Sequence, residues 1–147
     1  MKKSKMTDDD NNRYRYAMRL LIRHPTIDPN TITKELGLAP VVANHAGSQR
    51  VTPTGTVLPG VYNATTWGYS ARFNGGKYFY EEVRKLIFFL EPHKHFLSNI
   101  VDTGGAIDLI VNLPGDINMG DLMIWQVMAQ LVTLKVNLGV EVFPDFN

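Results

Sequence analysis

The chain has 147 residues, of which 44% are hydrophobic and 20% are charged, a balance typical of one globular domain with an apolar core. It contains no cysteine, which excludes disulfides and thiolate metal sites. The formal net charge of +1 excludes a strong overall field that would draw the chain to nucleic acid or to a membrane surface.

The first twelve residues are polar throughout, with lysines followed by aspartates and asparagines. No apolar stretch follows the lysines, so the segment lacks the pattern of a secretory signal, and its composition predicts a disordered leader over residues 1–12. The longest run of aliphatic and aromatic residues, Leu86–Leu90, is far too short to cross a bilayer. We therefore expect a single cytoplasmic domain over residues 13–147 that makes no contact with a membrane.

A strict alternation of apolar and basic residues begins at Arg13 and ends at Arg23. Because successive side chains of a strand point to opposite sides of a sheet, the alternation predicts a strand with one buried face and one cationic face. The apolar positions are Tyr14, Tyr16, Met18, Leu20 and Ile22, and the arginines are Arg13, Arg15, Arg19 and Arg23.

A short helix is predicted from Pro29 to Leu36. Asp28 is a good N-cap, proline suits the first helical position, and Gly37 can adopt the left-handed conformation that ends a helix. From Ala39 to Asn63 the sequence is rich in glycine and proline. This composition predicts a long irregular connection with room for a short edge strand.

Alternation returns from Thr65 to Phe73 and predicts a second strand, which a turn at residues 74–76 ends. From Tyr78 the apolar residues recur at helical spacing. Pro92 is expected to end this helix and to begin another, which stops at the two glycines 104–105.

The last part of the chain predicts a strand, a helix and a strand. Residues Ala106–Leu113 alternate, a helix is expected from Met119 to Leu134, and a final strand from Lys135 to Phe143. The residues expected to face the core are Leu122, Trp125, Met128, Ala129 and Val132 in the helix, and Val136, Leu138, Val140 and Val142 in the strand.

These elements predict an α+β fold with two layers. We expect a mixed, mostly antiparallel sheet with helices on one face, in a ferredoxin-like arrangement with an added helix and strand. The face that carries the arginines is expected to stay at least partly open. A single sequence does not determine the order of the strands.

Four pieces of the chain together resemble a bacterial family classified as domain of unknown function 4279. They are the run Leu20–Pro29 with Leu36–Leu38, the motif Ala46–Gly47 with Arg50–Gly55, the motif Leu58–Gly60 with Thr66–Tyr69, and the closing helix and strand up to Phe143. In the closing strand, Glu141 and Phe143 stand where the family pattern has aspartate and tyrosine. The resemblance implies a small bacterial domain and supplies no activity, although toxin immunity has been associated with domains of this kind.

The arginine row is the first candidate binding site. Guanidinium groups bind phosphate and carboxylate through paired hydrogen bonds, so Arg19 and Arg23 are candidate ligand-binding residues. The alternative is an open sheet face on which the arginines form ion pairs with carboxylates of other strands, namely Asp108 and Glu141.

Two aromatic residues of the second strand extend this candidate site. Trp67 and Tyr69 would suit a sheet on which nucleic-acid bases stack. They share a face with Phe73, however, which favours a place in the core. Nucleic-acid binding is therefore kept as an alternative function.

The Gly- and Pro-rich connection is the second candidate site. Arg50 and Thr52 are suited to hold an anionic group, and His45 to move a proton. The structural alternative is that Arg50 ties the loop down by bonding backbone carbonyls. No nucleophile elbow, phosphate-cradling loop or paired base accompanies them, so no catalytic residue is named.

His93 and His95 are the remaining pair with metal-ligand chemistry. They lie two apart at a predicted helix start, where their side chains point apart, and no cysteine or acidic pair nearby completes a ligand set. We therefore expect no metal or other cofactor.

Together these patterns predict a non-catalytic binding domain. It would recognise a protein partner or a small anionic ligand through the arginine row and the loop Ala43–Asn63, with toxin immunity as one version. An enzyme acting on a phosphorylated or acidic substrate through His45 and Arg50 is the second hypothesis, and nucleic-acid binding is the third. The sequence determines neither the partner nor the oligomeric state.

Overall fold

A computed structural model of the chain describes residues 15–76 and 78–144. The strands are β1 (Arg15–His24), β2 (Val42–Asn44), β3 (Gln49–Val51), β4 (Val57–Val61), β5 (Thr65–Asn74), β6 (Ala106–Pro114) and β7 (Val136–Phe143). The helices are α1 (Pro29–Leu36), α2 (Tyr80–Leu90), α3 (Lys94–Asp102) and α4 (Trp125–Leu134), and a 3₁₀ turn, Glu91–His93, joins α2 to α3. The predicted leader lies outside the described residues.

The main sheet has five strands in the order β2-β5-β1-β6-β7. Neighbours are antiparallel except β6 and β7, which are parallel and are connected through α4. β3 and β4 form a separate two-stranded sheet. The predicted fold class, a mixed and mostly antiparallel α+β fold, is thereby confirmed. The strand order was not predicted from the sequence, and the structure shows the antiparallel strands β1 and β6 at the centre of the sheet.

The two faces of β1 differ in chemistry as its alternation predicts. Met18, Leu20 and Ile22 are buried in one cluster with residues of all the helices, whereas Arg19 and Arg23 lie on the opposite face. Each fully buried aliphatic side chain contributes roughly 1.5–3 kcal/mol, so this register is strongly specified. A shift by one residue would move the arginines into the core.

Helix α1 has the predicted bounds and caps. The Asp28 carboxylate accepts a hydrogen bond of 2.9 Å from the backbone N–H of Asn30, and Pro29 occupies the first turn. Gly37 ends the helix with a φ of 66°, a conformation that costs glycine little and other residues more.

The connection from Ala39 to Asn63 is more ordered than predicted. It contains the edge strand β2, which pairs with β5, and a hairpin of β3 and β4. At the hairpin turn the Thr52 hydroxyl accepts a hydrogen bond of 2.9 Å from the N–H of Thr56. Sequence periodicity missed the hairpin because its strands are only three and five residues long.

The predicted helix from Met119 is wrong in its start, since α4 begins at Trp125. The extended residues before it serve another helix. The Asp121 carboxylate accepts a hydrogen bond of 2.9 Å from the N–H of Tyr80, in the first turn of α2. A residue remote in sequence therefore satisfies one of the donors that every helix leaves unpaired at its start.

The core-facing residues predicted for α4 are also wrong. The helix buries Val127, Leu131 and Leu134. The predicted set is exposed, namely Leu122, which precedes the helix, and Trp125, Met128, Ala129 and Val132 within it. Because α4 is apolar on more than one side, its pattern does not reveal which side faces the sheet. In β7, Val136 is buried and Leu138 packs against the core as predicted, but Val140 and Val142 are 47% and 62% exposed.

No helix within residues 15–76 and 78–144 combines the length and the apolar character needed to cross a membrane.

His24, at the end of β1, fixes the turn that leads to α1. Its Nδ1 accepts hydrogen bonds of 3.0 and 2.9 Å from the backbone N–H groups of Thr26 and Ile27. Its Nε2 lies 2.8 Å from the hydroxyl of Thr103, at the end of α3. The side chain is only 8% exposed, so it joins three elements in a place where water does not readily replace it.

Replacing His24 with alanine is expected to lower the free energy of unfolding by about 1–3 kcal/mol, because two backbone donors lose their acceptor. Urea denaturation followed by circular dichroism measures the change. The exposed His95→Ala variant is the matched control and should unfold like the original chain. Equal midpoints for the His24 and His95 variants would contradict this role.

Burial raises the pKa of Tyr16 to about 12, with smaller contributions from the carboxylates of Glu82 and Asp121. The unfolded chain ionises this phenol near its ordinary pKa of 10.0, so ionisation favours unfolding above that pH. The stability linked to Tyr16 is therefore fully present below pH 10 and is lost as the pH rises through about 12.

The Tyr16→Phe variant is expected to lose less stability than the original chain when the pH is raised through this window, because phenylalanine does not ionise. The free energy of unfolding measured by urea on both sides of the window tests this. Tyr78→Phe, at a position where the side chain is 64% exposed, should keep the original pH dependence. If the two variants respond alike, burial of the Tyr16 phenol is not the cause.

Candidate functional site

The arginine face is the side of the sheet that the helices leave uncovered. We define it by four arginines that project from it: Arg15, Arg19 and Arg23 on β1 and Arg72 on β5. Arg13, the fourth arginine of the predicted row, lies outside the described residues. Arg72 was not among the predicted site residues, although the alternation of its strand places it on the polar side.

Two ion pairs cross the strands of this face. Arg19 Nη2 lies 3.0 Å from Glu141 Oε2, and Arg23 Nη2 lies 2.9 Å from Asp108 Oδ2. The predicted use of Asp108 and Glu141 as partners across strands is thereby confirmed. Asn137 Nδ2 donates a further hydrogen bond of 3.0 Å to Asp108, so this carboxylate has two neighbours on the face.

The ion pairs hold the arginines only weakly. Each pair uses a single nitrogen of the guanidinium group, and the side chains of Arg19 and Glu141 are 43% and 47% exposed. Exposed pairs of this kind typically contribute about 0–1 kcal/mol. The arginines are thus oriented by their partners, while an incoming group with better geometry would compete for them.

A buried amide lies at the centre of the arginine face. Ala17 is flanked in register by Arg72 on β5 and by Asn112 on β6. Asn112 is 8% exposed, and its Oδ1 has no hydrogen-bond partner among the residues that the structure describes. Arg19 Nε, on the same face, is likewise buried and has no such partner.

Unsatisfied buried polar atoms are uncommon in folded proteins, since each costs about 1–3 kcal/mol. The acceptor at Asn112 and the donor at Arg19 are therefore unusual features of the arginine face. Arginine stays charged at neutral pH and suits binding of carboxylate or phosphate rather than proton transfer.

The loop residues predicted as a second site make their contacts within the hairpin. Arg50 Nη1 donates to the carbonyl of Pro59 at 3.5 Å, a contact of the kind that the structural alternative predicts. The hydroxyls of Thr52 and Thr54 are 3.1 Å apart. The carbonyl of His45 accepts from the N–H of Ser48 at 3.1 Å, and none of these contacts joins the loop to Arg19 or Arg23.

The two predicted aromatic residues lie on the helix side of the sheet. Trp67 is completely buried and donates from Nε1 to the hydroxyl of Thr33 at 3.0 Å. Tyr69 is partly buried against the same core. The structure therefore does not bring Trp67 and Tyr69 together with Arg19 and Arg23.

His93 and His95 are likewise apart from the arginine face. His93 Nδ1 lies 3.1 Å from the carboxylate of Glu35 on α1, and His95 is exposed. Within the described ranges there is no group of three or more His, Cys, Asp or Glu side chains that could hold a metal ion.

A cleft on the helix side was not predicted. It has a volume of about 280 Å³ and lies between the start of α2 and residues 121–124. Burial raises the pKa of the Tyr80 phenol in its wall, and the carboxylate of Asp121 adds to that effect. Because the same carboxylate already accepts from two backbone N–H groups, we assign this cleft a structural role.

Comparison with known proteins identifies one relationship. The family model described as Domain of unknown function (DUF4279) matches residues 12–116, which include β1 to β6 and exclude α4 and β7. No curated protein and no solved structure matches the chain. Since the match extends over more than half of the sequence and contains the arginine strand β1, the chain belongs to the family of domains of unknown function DUF4279.

Proposed function

We propose that this chain is a binding domain that uses the arginine face to capture an acidic segment of a protein partner. The observation that carries the proposal is the unsatisfied amide oxygen of the buried Asn112 beside Arg19. Arg19 Nε has no acceptor and the Asn112 amide oxygen has no donor among the described residues. A peptide with acidic side chains offers both, through its carboxylates and its backbone N–H groups.

The charges of the face favour the same kind of ligand. Among the described residues, the arginine face carries Arg19 and Arg23 with their partners Glu141 and Asp108, and two further arginines, Arg15 and Arg72. Clustered positive charge raises the rate of encounter with an acidic partner, and the effect is weakened by salt. Toxin immunity, in which a binding domain neutralises an acidic partner, is one version of this proposal.

The location of Trp67 and Tyr69 on the helix side removes the feature that suggested a nucleic-acid ligand. Base stacking requires exposed aromatic rings near the phosphate-binding cations, and Trp67 is buried on the other side of the sheet. A small anionic ligand would use the arginines but would leave the Asn112 oxygen without a donor, unless it also carried an N–H or O–H group.

A fluorescently labelled glutamate-rich peptide tests the proposal by fluorescence polarisation. We expect the chain to bind it and the Arg19→Gln variant to bind roughly tenfold or more weakly, the equivalent of about 1.4 kcal/mol for a charge-assisted hydrogen bond. Lys34→Gln, which removes an equal charge from α1, is the matched control and should bind like the original chain. Equal losses in the two variants would show that only net charge matters.

Three further measurements sharpen this experiment. Asn112→Ala should weaken peptide binding while leaving the weak retention of inorganic phosphate unchanged, because phosphate does not need the amide oxygen. Arg50→Gln tests whether the hairpin takes part. Arg19→Gln should lower the free energy of unfolding by less than about 1 kcal/mol, so that lost binding is not lost folding. Tight binding of phosphate with no binding of the peptide would overturn the choice of ligand.

A further inference from the structure

Among the residues that the structure describes, the outer edge of β7 is an open end of the sheet. β7 is eight residues long and is the last strand in the order, so no described strand pairs with its outer side. Sheets usually protect such edges with prolines, inward-pointing charges or very short strands. The opposite edge follows this rule, since β2 has three residues, whereas β7 contains no proline and its one charged residue, Glu141, pairs with Arg19.

An apolar surface accompanies this edge on the helix side. On α4, Gln130 faces α2, where it lines a cleft with Arg84 and Phe88. At 100° per residue, Trp125, Met128 and Val132 fall on the opposite flank of α4, away from α2. That flank lies over β7, the strand that α4 contacts most.

The flank and the helix side of the edge expose apolar side chains, since α4 contains no charged residue and Glu141 of β7 points to the opposite face. Trp125 is 70% exposed and Val132 76%, and Val140 and Val142 point to the same side of β7 as the buried Val136. Together with Met128 they expose on the order of 500 Å² of apolar surface. That is at the upper end for an isolated patch on a monomer, and the area of strand pairing would add to it.

We propose that a second copy of this chain covers the edge, with the two β7 strands antiparallel across a twofold axis and the two α4 flanks in contact. The pairing would form one continuous sheet and satisfy the outer backbone groups of both strands. With pairing included, the area approaches the roughly 800 Å² that each partner buries in a standard interface. Because the flank carries no charge, it favours contact with another apolar flank over contact with an acidic segment or a phosphate backbone.

The charge pattern of β7 disfavours one register of this dimer, and we place the axis at Val140. With the axis at Val140, each Leu138 faces Val142 of the second copy, and each Glu141 faces Gly139. An axis at Glu141 would place two carboxylates opposite each other, which is unfavourable. An axis at Val140 instead brings β-branched and aliphatic pairs together on the helix side, where such pairs are stabilising.

Light scattering after size exclusion, at several protein concentrations, tests the assembly. We expect a species of twice the chain mass of 16.6 kDa. Trp125→Lys and Val142→Lys should each weaken dimerisation by roughly 30-fold or more, since a buried aromatic anchor is a typical hot spot. Phe88→Lys is the matched control: this side chain is 80% exposed beside Gln130, on the side of α4 opposite the flank, and its replacement should leave the dimer intact.

Single cysteines test the register, because the chain has none of its own. Residues facing each other across the axis have Cα atoms within the 4.4–6.8 Å span that a disulfide bridges. Val140→Cys should therefore form a covalent dimer under mild oxidation, while Leu138→Cys and Val142→Cys should not. Two results would overturn the proposed dimer: a monomer at all concentrations, or a dimer that Phe88→Lys disrupts and Trp125→Lys does not. Cross-linking at position 138 or 142 in place of position 140 would overturn only the register.

Discussion

The pairing of β1 on both sides determines most of this structure. Its hydrogen-bonded neighbours β5 and β6 run antiparallel to it along most of its length, so its register fixes theirs. Because its side chains alternate strictly, the same pairing that buries Leu20 and Ile22 under the helices also presents Arg19 and Arg23 on the other side. The hydrophobic core and the arginine face are therefore two results of one constraint and cannot be shifted independently.

The elements that the sequence predicts well are those whose signals are local. The alternation of apolar and polar residues predicts β1 and β6. Both ends of α1 are predicted by its capping residues, Asp28, Pro29 and Gly37. The ion-pair partners Asp108 and Glu141 follow from the same parity rule, because side chains on one face of a sheet meet across strands. The parity of β5 also assigns Arg72 to the arginine face, where the site prediction overlooked it.

The remaining features depend on contacts that local patterns do not contain. The residues before α4 include Asp121, whose carboxylate accepts from the start of a helix 41 residues earlier, and no periodicity within residues 119–134 encodes that contact. The orientation of α4 depends on which of its apolar sides meets the sheet. The environment of Asn112 is also set by residues distant in sequence. That its side-chain oxygen has no hydrogen-bond partner among the described residues becomes apparent only when β6 lies beside β1.

The position of β7 has a consequence for the arginine face. Glu141, the carboxylate that orients Arg19, belongs to β7, which is also the last strand of the sheet. Without β7 the sheet would end at β6, and Arg19 would lose its acidic neighbour. One strand therefore supplies both the outer boundary of the sheet and the counter-charge of Arg19, so a substitution that displaced it would alter both at once.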